Sequence, residues 1–347
     1  MFKIANYKIS KTSSVFIIAE LSANHHGKIE NAKALIKAAK ESGADAVKLQ
    51  TYTPESITLN CDNEYFQIKQ DTIWDGRTLY NLYQEAYTPY EWHKELFEYA
   101  KSLDIILFSS PFDSSAVALL ESLDAPAYKI ASFEITDVGL IRECARTQKP
   151  IILSTGIASK EDIALALQVC KEEGNESIVL LKCTSAYPAL PEAMNLQMIP
   201  EMAKDFGIII GLSDHTSGVT AAIVATSLGA KVIEKHFILD RSSGGVDARF
   251  SLEPSEFKAM VQSVREAEKL YGVVDYTLDE KRLKAREFSR SLFVAQDIKE
   301  GEIFTKQNIR SVRPGFGLHP KYLEEIVGKK AKKALLFGSP LHLEDVL

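Results

Sequence analysis

Cysteine is sparse. Cys61, Cys144, Cys170 and Cys183 are scattered through 347 residues without a CxxC pair, which excludes a disulfide framework and a zinc knuckle and suits a reducing compartment. Positive charge is in deficit, with 41 Lys and Arg against 47 Asp and Glu and a formal net charge of −6. Binding to a phosphate backbone normally shows as a basic patch, so nucleic acid is set aside as a partner. Long apolar runs are missing as well: no stretch approaches the roughly 18 residues that a bilayer-spanning helix needs. Near Met1 no basic segment precedes an apolar run of about 7–15 residues, and the expectation is a cytoplasmic protein with no membrane partner. No GxGxxG opens the first helical segment, which weighs against an open doubly wound sheet, the fallback architecture.

What is present is a chain 46% hydrophobic, long enough for one large domain and a small one. Phe2 to Ser14 reads as a hairpin. Eight short β-rich runs follow: 15–20, 46–50, 105–110, 127–132, 150–155, 178–183, 207–215 and 231–237. Between them lie segments of helical period, such as ENAKALIKAAKESG with Ala32, Leu35, Ile36 and Ala39 on one face, and KEDIALALQVCKEEG with Ile163, Ala166, Leu167 and Cys170. Eight such units predict a (β/α)8 TIM barrel, whose catalytic groups sit beyond the carboxyl ends of the strands. The domain limits expected are 1–275 for the barrel, 276–289 for a linker and 290–347 for a compact β-rich module, where KEGE and FGSP turns and a Pro-Gly-Phe-Gly loop appear.

The strand ends share a habit. Side chains alternate with a period of two, so Glu20 falls in line with Ile18, Lys48 and Gln50 with Ala46, and Ser154 with Ile152. Ser213 and His215 fall in line with Ile209, and Glu234 and His236 with Val232. Polar groups thus converge on the barrel interior, where each one left unpaired costs roughly 1–3 kcal/mol. Two histidines ending neighbouring strands suit a divalent metal with coordination positions open to substrate and water. Mn²⁺ or Mg²⁺ is favoured over a four-ligand structural zinc. Lys48 and Lys129 read as cations awaiting an anion, and Ser110, Ser132, Ser154, Thr155 and Ser213 as donors to phosphate oxygens. LSTG ahead of the segment 160–173 adds backbone N–H groups at a helix start. Glu20, Glu134 and Glu234 supply carboxylates for proton transfer. These residues imply a small phosphorylated ligand and metal-assisted chemistry, and leave the reaction open. The connection from Thr51 to Tyr87, far longer than the usual 4–6 or so residues, is expected to form a lid or specificity wall, with its tyrosines and Trp74 facing a sugar or packing the loop down.

IAELSANHHG, ADAVKLQTY, FSSPFD, YKIASFE, ILSTGIA, LKCTSAYP, GLSDHT, VIEKHF and VRPGFGLHP resemble the blocks of the sialic acid synthase family. The likeness runs over essentially the whole chain, the last 60 or so residues resembling that family's SAF (antifreeze-like, β-clip) domain. The resemblance implies a metal-dependent condensation of phosphoenolpyruvate with an amino sugar, with cleavage of the C–O bond of the enol phosphate. WDGRTLYNLYQEAYTPYEWH and SVRPGFGLHPKY point within the family to the branch acting on 2,4-diacetamido-2,4,6-trideoxy-L-altrose. Synthases for N-acetylneuraminate or legionaminate are the alternatives, and a non-catalytic sugar-binding protein is the alternative of another class. Carried over by residue, the metal ligands are His215 and His236. The phosphoenolpyruvate positions are Lys48, Ser110, Lys129, Ser132, Ser154, Ser185 and Ser213; relatives making N-acetylneuraminate tend to carry Asn where Ser185 stands. The positions near the sugar are Glu20, Gln50, Tyr187, Glu234 and Asp247, and Glu134 is expected to steer water. The resemblance further implies a domain-swapped homodimer in which Arg313 reaches the partner's sugar.

Overall fold

The computed structural model describes residues 1–69 and 74–347 and divides into two compact units, Met1–Gly272 and Val273–Leu347. In the first, β1 (Phe2–Ile4) and β2 (Tyr7–Ile9) form an antiparallel hairpin. Eight strands then close a parallel barrel: β3 (Phe16–Glu20), β4 (Ala46–Thr51), β5 (Ile106–Pro111), β6 (Tyr128–Ile130), β7 (Ile151–Ser154), β8 (Ile178–Cys183), β9 (Ile209–Asp214) and β10 (Val232–His236). β10 pairs with both β3 and β9, which completes the ring.

The period-two reading is realised in two layers of core. Phe16, Ile18, Ala46, Phe108, Ile152, Val179, Leu181 and Val232 fill the barrel, with Ile4 and Ile9 of the hairpin packed among them. The alternate strand positions Ile17, Ala19, Val47, Leu49, Leu153, Leu212 and Ile233 belong to the outer layer, with the residues of the surrounding helices. Gly211 is required inside: a Cβ there would lie 2.3 Å from the Val232 carbonyl oxygen and 2.6 Å from Leu181 Cδ2. Ala32, Leu35, Ile36 and Ala39 are the buried stripe of the helix Ile29–Glu41. In the helix Lys160–Glu172 the buried face is Ile163, Ala166, Val169 and Cys170, so Val169 takes the place expected for Leu167.

The long connection after β4 has structure of its own. It contains the short helix Pro54–Ile57, a turn of 3₁₀ helix at Glu64–Phe66 and the helix Leu79–Ala86, before the helix Tyr90–Ser102 returns to the barrel; four residues of it, 70–73, lie outside the described part. A buried hydroxyl and imidazole network anchors its ends. Thr51 Oγ1 lies 2.8 Å from His93 Nε2 and 2.6 Å from Ser109 Oγ, and His25 Nε2 lies 3.2 Å from Thr88 Oγ1.

In the second unit β11 (Ser291–Val294) pairs antiparallel with β12 (Ile309–Val312), and isolated bridges extend the β character. Leu292, Val294, Ile298, Phe304, Ile309, Ile326, Ala331, Leu335 and Leu341 form its core. Of the run 328–334 only Ala331 is buried; its four lysines are exposed, as a solvated face requires.

Candidate active site

The carboxyl ends of the barrel strands open into a cavity of about 520 Å³. Lys48, Gln50, Lys129, Ser132, Glu134, Ser154, Ser185, Tyr187, Ser213, His215, Glu234, His236 and Asp247 all line it. Glu20 and Ser110 stand just behind that lining and touch it through Lys48, whose Nζ is 2.5 Å from Glu20 Oε2 and donates to Ser110 Oγ at 3.4 Å. Arg313 is exposed and belongs to the second unit.

The lysines are not bare cations, contrary to the sequence expectation. Lys48 Nζ lies 3.2 Å from Glu234 Oε1 as well as against Glu20, and Lys129 Nζ lies 3.7 Å from the same Glu234 oxygen. Burial pushes the Lys48 ammonium down to about 7, against the opposing pull of Glu234. Burial would raise Glu234, but Lys129 and Lys48 outweigh it and hold the carboxyl well below its ordinary range. Glu134 has no such support: burial lifts it to about 7 in spite of Lys129. A second expectation is corrected at the LSTG turn. The helix after it begins at Lys160 and is capped by its own Ser159 and Asp162, while Gly156 N donates to Ser132 Oγ at 3.1 Å and Thr155 Oγ1 to the Leu181 carbonyl at 3.0 Å. These groups are satisfied within the fold. Gly156 serves close packing instead, since a Cβ there would fall 2.1 Å from Ser185 Oγ and 2.8 Å from Ser132 Oγ.

Four of the buried polar atoms that lack a hydrogen-bond partner among the described residues are Glu134 Oε2, Ser154 Oγ, Glu234 Oε2 and His236 Nδ1. All four belong to residues lining this one cavity. At roughly 1–3 kcal/mol for each polar group left unsatisfied, such a cluster is explained by a polar ligand that completes it.

The histidines come together as expected. Their ring centroids are 5.3 Å apart, and Phe250 packs edge-on to both. His215 Nδ1 donates to the Thr184 carbonyl at 3.1 Å, which orients the ring and leaves Nε2 outside that bond; burial would lower the imidazole's pKa, but Cys183 outweighs burial and holds it above the ordinary value. Burial and the neighbouring cationic side chains keep the His236 imidazole neutral, its pKa well below the ordinary value. Among the described residues no set of three or more His, Cys, Asp or Glu is placed to hold a metal ion. Two imidazoles alone do not make a closed structural site; a divalent cation held here would take its other ligands as oxygens from water and substrate.

A largely apolar and aromatic wall, to which Tyr65, Gln67 and Tyr83 also bring polar groups, completes the lining. The long connection contributes Ile57, Ile68, Trp74, Leu79 and Leu82. The Trp74 ring lies 5.5 Å from Tyr187, and Trp74 Nε1 donates to the Val246 carbonyl at 3.2 Å.

Sequence reasoning missed Ser22, Tyr52, Cys183 and Phe250. Ser22 Oγ donates to Asp247 Oδ2, and burial raises Asp247 although that bond opposes it. Cys183 Sγ sits 3.9 Å from His215 Nδ1. Carrying the alternation one step past Glu20, Gln50 and Leu181 would have found the first three. Phe250 ends a single turn of 3₁₀ helix, Ala248–Phe250, after β10, too short for a periodicity to reveal it.

Against this geometry the comparisons are decisive. The NeuB family model matches residues 35–276, and a SAF domain model matches 289–347. The chain belongs to the NeuB family. Pseudaminic acid synthase of Campylobacter jejuni subsp. jejuni serotype O:23/36 (strain 81-176) is 52% identical over 343 residues, 99% of either chain. N,N'-diacetyllegionaminic acid synthase of Legionella pneumophila subsp. pneumophila (strain Philadelphia 1) is 36% identical, over 95% of this chain and 94% of its own. Among solved NeuB-like structures, N-acetylneuraminic acid synthetase of Leptospira borgpetersenii serovar Hardjo-bovis, in complex with citrate, superposes with a TM-score of 0.74. It is 29% identical, over 83% of this chain and 95% of the other. No helix among the described residues is long and apolar enough to cross a membrane.

Proposed function

We propose that this NeuB-family chain is a pseudaminic acid synthase, a phosphoenolpyruvate-dependent enzyme that condenses the enol phosphate with 2,4-diacetamido-2,4,6-trideoxy-L-altrose and releases phosphate and a nine-carbon nonulosonic acid. The observation that carries the reading is the division of one cavity. A charged floor with two free imidazole nitrogens suits the anionic partner and the reacting aldehyde, and an apolar wall suits the acetamido methyls and the deoxy carbon of the sugar. The gap between 52% and 36% identity to relatives named for different sugars supports the same branch.

His215 and His236 would hold the cation, Mn²⁺ or Mg²⁺, which when bound supplies Lewis-acid polarisation of the aldehyde oxygen. Lys48 and Lys129, with Ser132, Ser154, Ser185 and Ser213, hold the carboxylate and phosphate of phosphoenolpyruvate, and Ser110 acts from behind the lining through Lys48. Gln50, Tyr187 and Asp247 orient the sugar so that its carbonyl carbon meets C3 of the enol. The enol π electrons form the new C–C bond as the aldehyde C=O π pair moves onto its oxygen, which takes up a proton to become a hydroxyl, and positive charge develops at C2 beside the ionised Glu234. Glu134, poised near neutrality, takes a proton from the water that adds at C2. The tetrahedral adduct then collapses by C–O cleavage and phosphate departs. Glu20 fixes Lys48 between two carboxylates and is the second candidate for handling protons of the sugar.

The reading includes a cytoplasmic homodimer with exchanged C-terminal domains, in which Arg313 serves the partner's site. Its domain limits are a barrel over 1–275, a linker over 276–289 and a SAF domain over 290–347. Purified protein with phosphoenolpyruvate and a divalent cation is offered each of the three candidate amino sugars, and the nonulosonate formed is identified by mass spectrometry. Turnover with the L-altrose derivative alone is expected. Preference for an N-acetylneuraminate or legionaminate precursor would move the chain to another branch, and no phosphate release with any sugar would make it a binding protein.

A further inference from the structure

Behind the histidine pair, on the face of the sheet turned away from the cavity, lies an ion pair with no exposed surface at all. Asp214 and Lys235 each precede the histidine of their strand and are direct partners in the β9–β10 ladder. Lys235 Nζ lies 2.8 Å from Asp214 Oδ2, and both side chains have 0% exposure. Lys235 also donates to the Thr216 carbonyl, while Asp214 Oδ1 accepts from Thr216 N at 2.9 Å and from Thr216 Oγ1 at 2.8 Å. Neither residue lines the cavity. Their neighbours on that face, Leu212 and Ile233, belong to the apolar layer under the helices.

Such a pair is a poor way to gain stability. Removing two ions from water costs several kcal/mol each, and apolar residues of similar volume often do as well or better. What an apolar pair would not supply is direction. The Asp214, Lys235 and Thr216 bonds fasten the residues on both sides of His215 to the residue immediately before His236. Period two then projects the two imidazoles from the opposite face of the same fastened segment. We propose that Asp214 and Lys235, with Thr216, are positioning residues that set the separation and aim of His215 and His236 for a shared divalent cation. This inference rests on the metal reading above; the pair touches neither substrate nor cation and acts through the histidines. A loosened clamp leaves both imidazoles in place but widens the range of separations they sample, which weakens metal binding before it harms the fold.

The test uses Mn²⁺ alone as probe, with free ion counted by electron paramagnetic resonance and thermal unfolding followed in parallel. The parent protein is expected to bind one ion per chain and His236→Ala none. The paired replacement of Asp214→Leu with Lys235→Met is expected to keep the barrel folded and weaken Mn²⁺ binding by ~10–100-fold, the range for outer-shell partners of metal ligands. The KM for phosphoenolpyruvate at saturating metal should hold. If the paired variant does not fold, Thr216→Val, which keeps the ion pair and removes one tie, is expected to weaken binding several-fold, with Thr216→Ser restoring it. Unchanged Mn²⁺ affinity in whichever of these folds overturns the inference and leaves the metal reading intact. A parent protein that binds no more Mn²⁺ than His236→Ala overturns the metal reading itself, and the clamp with it.

Discussion

Lys48 Nζ sits 2.5 Å from Glu20 Oε2, both side chains almost wholly buried. On its other side Lys48 is 3.2 Å from Glu234, so one ammonium separates two carboxylates. Lys48→Met leaves both acids facing each other out of water, and breaking a buried pair in this way costs about 3–5 kcal/mol. Replacing Glu20→Gln in the same chain should recover much of that loss while phosphate release stays abolished. Thermal unfolding of the single and double variants beside an activity assay checks this, and full recovery of activity would remove Lys48 from substrate binding.

Glu134 governs a pH dependence of definite sign. Its carboxyl is raised by burial to about 7, so the folded protein holds that proton between the ordinary carboxylate range and neutrality. The stability associated with the protonated form is complete at low pH and is lost as pH rises through 7. Glu134→Gln should therefore unfold with the parent near pH 4.5 and a few degrees above it at pH 8, roughly the ~2–4 °C per kcal/mol expected of a domain this size. In turnover, the limb that rises through pH 7 in the parent should flatten in the variant.

His236→Ala is expected to abolish metal-stimulated turnover in a barrel that still folds, as near-parental circular dichroism would record. Mixing His236→Ala chains with Arg313→Ala chains should restore part of the activity, because in exchanged dimers one site keeps both residues. Heterodimers that form and remain inactive would count against a contribution of Arg313 in trans.

Trp74→Ala should act on the sugar alone. The indole packs on Tyr187 and bonds the loop that precedes Asp247, the two residues that orient the sugar in this reading. The KM for the amino sugar should rise by ~10-fold, equivalent to about 1.4 kcal/mol, with the KM for phosphoenolpyruvate unchanged. A parallel rise in both would make Trp74 a general support of the cavity.

The barrel and most of its polar floor are legible because period two assigns a face to every residue of a strand without reference to anything outside it. Glu20, Lys48, Ser154, Ser213, Glu234 and both histidines follow from that rule. The pairing of Lys48 with Glu20 and Glu234 does not, since it depends on cross-strand register and on rotamers that no single strand encodes. Phe250 and the wall residues Ile57, Leu79 and Leu82 come from short helical pieces within long connections, where a residue's neighbours are set by tertiary packing. Asp214 and Lys235 left a signal that parity could have used: two opposite charges at helix-facing positions of adjacent buried strands.

The hairpin residues Ile4 and Ile9, wholly buried against Phe16 and Ile18, turn the barrel into a blind alley. With that end filled by hydrocarbon, the cavity at the carboxyl ends of the strands has an apolar base made by the chain's own first residues.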